Sequence, residues 1–129
     1  MASMETRQTI LLAYTVPASG DSNAAGATQV EFPVLRACKV TGLLIRFYPG
    51  PELSLQLTPY VRYQQERQGL VPFAPSGKQY IDGDDDTIPF EVDMPARMGS
   101  YIGIGYLNTD ATNAYDFRVY ATLYFGGHG

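Results

Sequence analysis

Residues Tyr115 to Phe125 alternate without interruption. Tyr115, Phe117, Val119, Ala121, Leu123 and Phe125 fall on one side, and Asp116, Arg118, Tyr120, Thr122 and Tyr124 on the other. Successive side chains of an extended chain point to opposite faces, so a period of two predicts a half-buried β-strand. The second side carries two tyrosines and a threonine where a solvated strand usually carries charge. A strand of this kind belongs to an all-β domain with a sheet face that something else covers.

The same parity recurs along the chain. A first strand is predicted over Gln8–Val16, with Ile10, Leu12, Tyr14 and Val16 on one face. A second spans Ala27–Val34, and Pro33, which cannot donate to a ladder, places its end at a sheet edge. The third, Lys39–Tyr48, is apolar on both sides around Leu43-Leu44-Ile45, as a central strand would be, and Pro49-Gly50-Pro51 stops it. The fourth, Leu53–Tyr63, keeps one apolar parity throughout, with Pro59 predicting a bulge or edge position. A short strand at Lys78–Ile81, a sixth over Ile88–Met94, a seventh over Ser100–Leu107 and the last at Tyr115–Phe125 follow. The helix formers at Tyr63–Gln68 run less than two turns before Gly69, too few for a stable helix. Strands at this spacing, with loops of unequal length, predict a two-sheet antiparallel sandwich. Jelly-roll topology is preferred over an immunoglobulin-like one, whose paired cysteines and core tryptophan are missing. The expected organisation is an N-terminal arm at 1–8, one sandwich domain at 9–125 and a glycine-rich tail at 126–129.

Composition narrows the function. At 129 residues the chain is one domain, able to bury a core without disulfides. The formal charge is −4, and Lys39 and Lys78 are the only lysines, so no basic stripe offers itself to nucleic acid. No segment approaches the roughly 20 apolar residues of a membrane helix, and Met1–Arg7 does not read as a signal peptide. The lone Cys38 reads as a buried, inert thiol. His128, the one histidine, lies in the glycine tail, out of reach of any nucleophile, so the chain reads as no enzyme.

Three constellations remain as sites. Asp82, Asp84 and Asp86 have the one-three-five spacing of a calcium loop, and Asp93 falls at its twelfth position. Thr87 stands where that loop needs glycine, so a solvated acidic turn is the plainer expectation and calcium the alternative; no other cofactor is expected. Glu91 and Asp93 share a strand face about 7 Å apart, a spacing any strand with two acids provides. The strongest candidate is a polar-aromatic surface: Arg118, Tyr120 and Tyr124 on the last strand, and Tyr60 and Arg62 on the fourth. Tyrosine and arginine dominate protein interfaces, although cross-strand packing would use tyrosine equally well. Gly103 and Gly105, on one face of the seventh strand, predict a shallow trough for an aromatic ring or another chain.

A compact acidic β domain with arginine favoured over lysine, a polar arm, and tyrosine-bearing strands such as Asp116-Phe117-Arg118-Val119-Tyr120 resembles the small jelly-roll decoration, or cement, proteins of bacteriophage capsids. The resemblance implies a trimer on the virion, bound where major capsid subunits meet. Here about seven polar residues stand in place of a long capsid-binding arm. The competing expectation is a carbohydrate-binding module, with or without calcium, using Tyr101 or Tyr106. The absence of tryptophan, the best platform for a sugar ring, disfavours it.

Overall fold

The computed structural model describes residues 6–18, 29–50, 54–70 and 80–126. The arm residues 1–5, most of the loop after the first strand, Pro72, Pro75, Lys78 and the tail from 127 lie outside them. The elements are all strands: β1 (Thr6–Val16), β2 (Gln29–Pro33), β3 (Cys38–Phe47), β4 (Leu55–Tyr63), β5 (Glu66–Gly69), β6 (Ile81–Asp82), β7 (Asp86–Ala96), β8 (Ser100–Asn108) and β9 (Tyr115–Phe125). β1 already starts at Thr6, so residues 6–8 of the expected arm are paired with β9.

Two antiparallel sheets face one another. The first runs β1-β9-β3-β7; the second runs β2-β8-β4-β5, with β6 also paired to β4. Except at β4–β5 and β5–β6, consecutive strands lie in opposite sheets, so the chain crosses the sandwich at almost every connection. That is the jelly-roll arrangement, whereas an immunoglobulin-like sandwich joins several consecutive strands within a sheet.

The core lies between the sheets and follows the parity read from the sequence. β9 contributes Phe117, Val119, Ala121 and Leu123; β4 contributes Leu55, Leu57 and Val61; β8 contributes Ile102, Ile104 and Tyr106. Each large apolar side chain removed from water stabilises the fold by about 1.5–3 kcal/mol before entropy is counted. In β3 the register shifts between Val40 and Gly42 against both neighbours. This bulge lets Val40 and Leu43, at opposite parity, both point inward, at 0% and 3% exposure.

Pro59 sits in an interior strand, contrary to the expectation of an edge or bulge. Its carbonyl accepts from Leu70 N at 3.1 Å, on the side where β5 ends at Gly69. A residue's N–H and C=O point to the same side of a strand. The missing N–H therefore falls there and takes nothing from the β8 ladder. Pro33 is on edge strand β2, as expected. The Tyr63–Gln68 stretch forms the β4–β5 hairpin, in which Tyr63 pairs with Glu66 across Gln64-Gln65. Gln64 takes the positive φ (56°) that tight hairpins place at a turn residue.

Candidate interaction surfaces

The five interface candidates fall on two faces that point away from each other. Arg118, Tyr120 and Tyr124 lie on the outer face of the first sheet, on a strand flanked by β1 and β3. Tyr60 and Arg62 lie on the outer face of the second.

On the second sheet, Tyr60 is closed in. Glu31, Gly103 and Tyr60 stand in one row across β2, β8 and β4. The Tyr60 ring lies over Gly103, where a Cβ would sit 2.4 Å from its Cζ. The ring thus fills the trough that the glycine leaves, and its hydroxyl crosses to donate to Glu31 Oε2 at 2.7 Å. Arg62 donates to both oxygens of Glu31, Nε to Oε2 at 2.8 Å and Nη2 to Oε1 at 2.9 Å, and to the carbonyl of Gln64 in the turn. Arg67 covers the Tyr60 ring at 4.4 Å and donates to Gln29. Tyr60 is left 2% exposed.

The electrostatics follow from these contacts. Hydrogen bonding by Arg62, with help from Tyr60, holds the Glu31 carboxyl below its ordinary value against the opposing effect of burial. Burial and the Glu31 carboxylate push the Tyr60 hydroxyl well above its ordinary value. The charged carboxylate and the neutral phenol are both the favoured forms, which suits a fixed structural network. Neither Glu31 nor Arg67 was singled out from sequence, because only the strand order brings β2 and β5 to Tyr60.

The first sheet is different. By register, Leu11, Tyr120, Leu44 and Pro89 form one row across β1, β9, β3 and β7. Leu11 is 49% and Leu44 38% exposed, and Tyr120 is half-buried between them. Beside this apolar row lies a polar one: Ala13, Arg118, Arg46 and Thr87. Arg118 is hydrogen-bonded to Tyr120, which with nearby Tyr48 holds its guanidinium charged. Arg46 pairs with Asp85 at 2.8 Å and lies 5.1 Å from the Tyr48 ring. A hollow of about 390 Å³ around Tyr120 is floored by Gly42 and rimmed by Thr9, Leu44 and Thr122. Tyr124 is half-buried further along, in a row with Arg7, Lys39 and Pro95. Leu11 was legible as an outward residue, since it breaks the parity of Ile10 and Leu12; Leu44 was not, because Leu43-Leu44-Ile45 is apolar on both sides.

The acidic turn is organised around the backbone. Asp84 Oδ1 accepts from Gly50 N at 2.7 Å, Asp86 Oδ2 accepts from Asp84 N at 2.9 Å, and Asp85 holds Arg46. Asp82, Asp84 and Asp86 were the alternative calcium set, and among the described residues no group of three or more possible ligands is arranged to hold a metal ion. Asp110 orders its own loop, accepting from Tyr115, Thr112 and Asn113, and those bonds hold its carboxyl well below the usual range. Asp93 of the carboxylate pair is bound to Lys39 at 3.0 Å, with both side chains largely solvated. Of the tyrosines proposed for sugar, Tyr106 is buried and stacked on Tyr14 at 4.9 Å. Tyr101 carries Arg62 over its ring at 4.5 Å.

No known protein family and no curated protein matches the chain by sequence. Solved structures do match by fold. A chain of the cyanophage Pam1 capsid asymmetric unit is similar over 95% of this chain and 86% of its own length, with 13% identity and a TM-score of 0.52. A chain of infectious bursal disease virus, Gx strain, is similar over 98% of this chain at 7% identity and a TM-score of 0.50, and this chain spans 33% of it. The protein therefore has the fold of viral capsid proteins, a jelly roll, and the likeness is one of fold.

Proposed function

We propose that this chain is a non-enzymatic structural protein of a virion, a decoration or assembly protein that associates with copies of itself, as a trimer, and with a larger protein lattice. The observation that carries the proposal is the apolar row Leu11–Tyr120–Leu44–Pro89, displayed on the outer face of a jelly roll and bordered by Arg118 and Arg46. An apolar centre with aromatic and arginine residues beside it is the anatomy of a protein interface. The fold's likeness to capsid chains supplies the setting. The second sheet's outer face has its tyrosine and arginine tied into one network and serves the chain's own stability. Of the candidates, Arg118, Tyr120 and Tyr124 are the residues this reading buries in an assembly.

Light scattering tests the proposal. The chain should show a mass above its monomer's 14.2 kDa, three times that value for the trimer. Leu44→Asp, in the middle of the row, should lower the mass with little change in melting temperature. A wild-type chain that remains monomeric at several hundred micromolar would sink the reading.

A further inference from the structure

A jelly roll of two open sheets has four edges, and three of them are blunted here. β7 carries Pro89 and Pro95 together with Asp86, Glu91 and Asp93. β2 is five residues long and ends in Pro33. β5 is four residues long. Short edges, prolines and charges are the means by which sheets avoid pairing with other chains. β1 has none of them: eleven residues, no proline and a single charge, Arg7. Among the described residues it pairs only with β9, and eight of its residues are exposed, including Gln8 and Tyr14 on the inward side.

We propose that β1 is a self-pairing edge, joining two copies of the chain by antiparallel β1–β1 contact about a two-fold axis through Leu11. The sequence of β1 specifies both partner and register. Leu11 is the midpoint of Thr6–Val16, so this register alone pairs all eleven residues with their counterparts. It sets odd residues against odd and even against even, so each strand keeps its inward and outward faces; a slip by one residue would reverse them. Leu11 then meets Leu11 of the second copy at the axis. The apolar row Pro89–Leu44–Tyr120–Leu11 continues into its symmetry mate, which gives the 49% exposed leucine a partner. Charge agrees with this arrangement. Arg7 falls opposite Thr15 of the second copy, whose hydroxyl is hydrogen-bonded to the Asp116 carboxylate, so each end of the contact brings a cation to an anion. The product is one continuous eight-stranded sheet, four strands from each copy. The contact uses the edge of the sheet and shares Leu11 with the outer-face interface; where both form, the two-fold joins two trimers.

Cysteine trapping tests the register directly. In a Cys38→Ser background, Leu11→Cys should form a disulfide-linked dimer under mild oxidation, because directly opposed Cβ atoms stand about 4.5–5.5 Å apart, within a small adjustment of disulfide geometry. Thr9→Cys alone should not cross-link, its two copies lying roughly 13 Å apart along the strands. Mixed with Ala13→Cys, the residue it would face, it should. A Leu11→Cys chain that stays reduced while its melting curve matches the parent's would overturn the proposal. So would Thr9→Cys cross-linking alone as efficiently as Leu11→Cys. An assembled mass without the Leu11 cross-link would likewise overturn β1 pairing while leaving the outer-face interface standing.

Discussion

Tyr60 reaches 2% exposure on the outer face of a sheet because Gly103 leaves room for its ring and Glu31, Arg62 and Arg67 close over it. The network has a pH signature. The Glu31 carboxyl is held below its ordinary value of 4.5, first by the Arg62 hydrogen bonds. A depressed folded value means the group stabilises the fold fully above the unfolded value, and this stabilisation is lost as pH falls through the folded one. Glu31→Gln should therefore be less stable than wild type near neutral pH, and the gap should close as pH falls from the ordinary value of 4.5 through the lower folded one. Urea melts at several pH values measure this; a gap independent of pH would show that the carboxylate's charge contributes nothing. The trough at Gly103 was legible in the sequence as two glycines of one parity. Its occupant was not, because Tyr60 is more than forty positions away and meets Gly103 only through β4–β8 pairing.

At the level of the element, β9 displays the inward and outward faces that its alternation predicted. Phe117, Val119 and Ala121 are at 1% exposure or below, while Arg118 is exposed. Phe117→Ala should cost about 3–5 kcal/mol, the usual penalty for emptying a core aromatic site. Tyr120→Ala should cost about 1 kcal/mol or less in the isolated chain. Denaturant melts of the two variants compare the faces, and equal losses would contradict the assignment. The β4–β5 hairpin was less legible. Its turn uses Gln64-Gln65 where Asn-Gly or Asp-Gly would have announced it, and Gln64 carries the positive φ without glycine's freedom. Arg62 compensates by donating to the Gln64 carbonyl, a side-chain contact that local propensity does not contain. The bulge in β3 escaped for the same reason. The bulge shows in the pairing of β3 with β7 and β9, whereas β3's own sequence shows a run that is apolar on both sides at Leu43-Leu44-Ile45.

Across the whole molecule, the first and last strands meet: Thr6 pairs with Phe125, and β1 runs the length of β9. Almost every strand finds its neighbour far along the sequence, so loop-closure entropy must be overcome before most contacts form. Refolding should therefore fall on the millisecond-to-second scale typical of β-sandwiches. Stopped-flow fluorescence of the tyrosines measures it, and microsecond refolding would be inconsistent with this topology. The topology also sorts charge. Arg36 and Arg97 lie with the exposed Leu35 and Met98 at the end where the β2–β3 and β7–β8 connections hydrogen-bond. Asp84, Asp85 and Asp86 lie at the opposite end, against Tyr48 and Gly50. The sequence by itself determined most of the strands, the buried sides of those that alternate and the two-sheet class, because alternation is a local property of an extended chain that contrasts apolar with polar positions. Only the tertiary structure decided which strands are neighbours. That placed Tyr60 and Arg62 in a closed network on one sheet, and Arg118 and Tyr120 beside an exposed apolar row on the other. Hydrogen bonds between strands form between any two backbones, so a strand's own residues encode its faces and leave its partners to the packing of the whole chain.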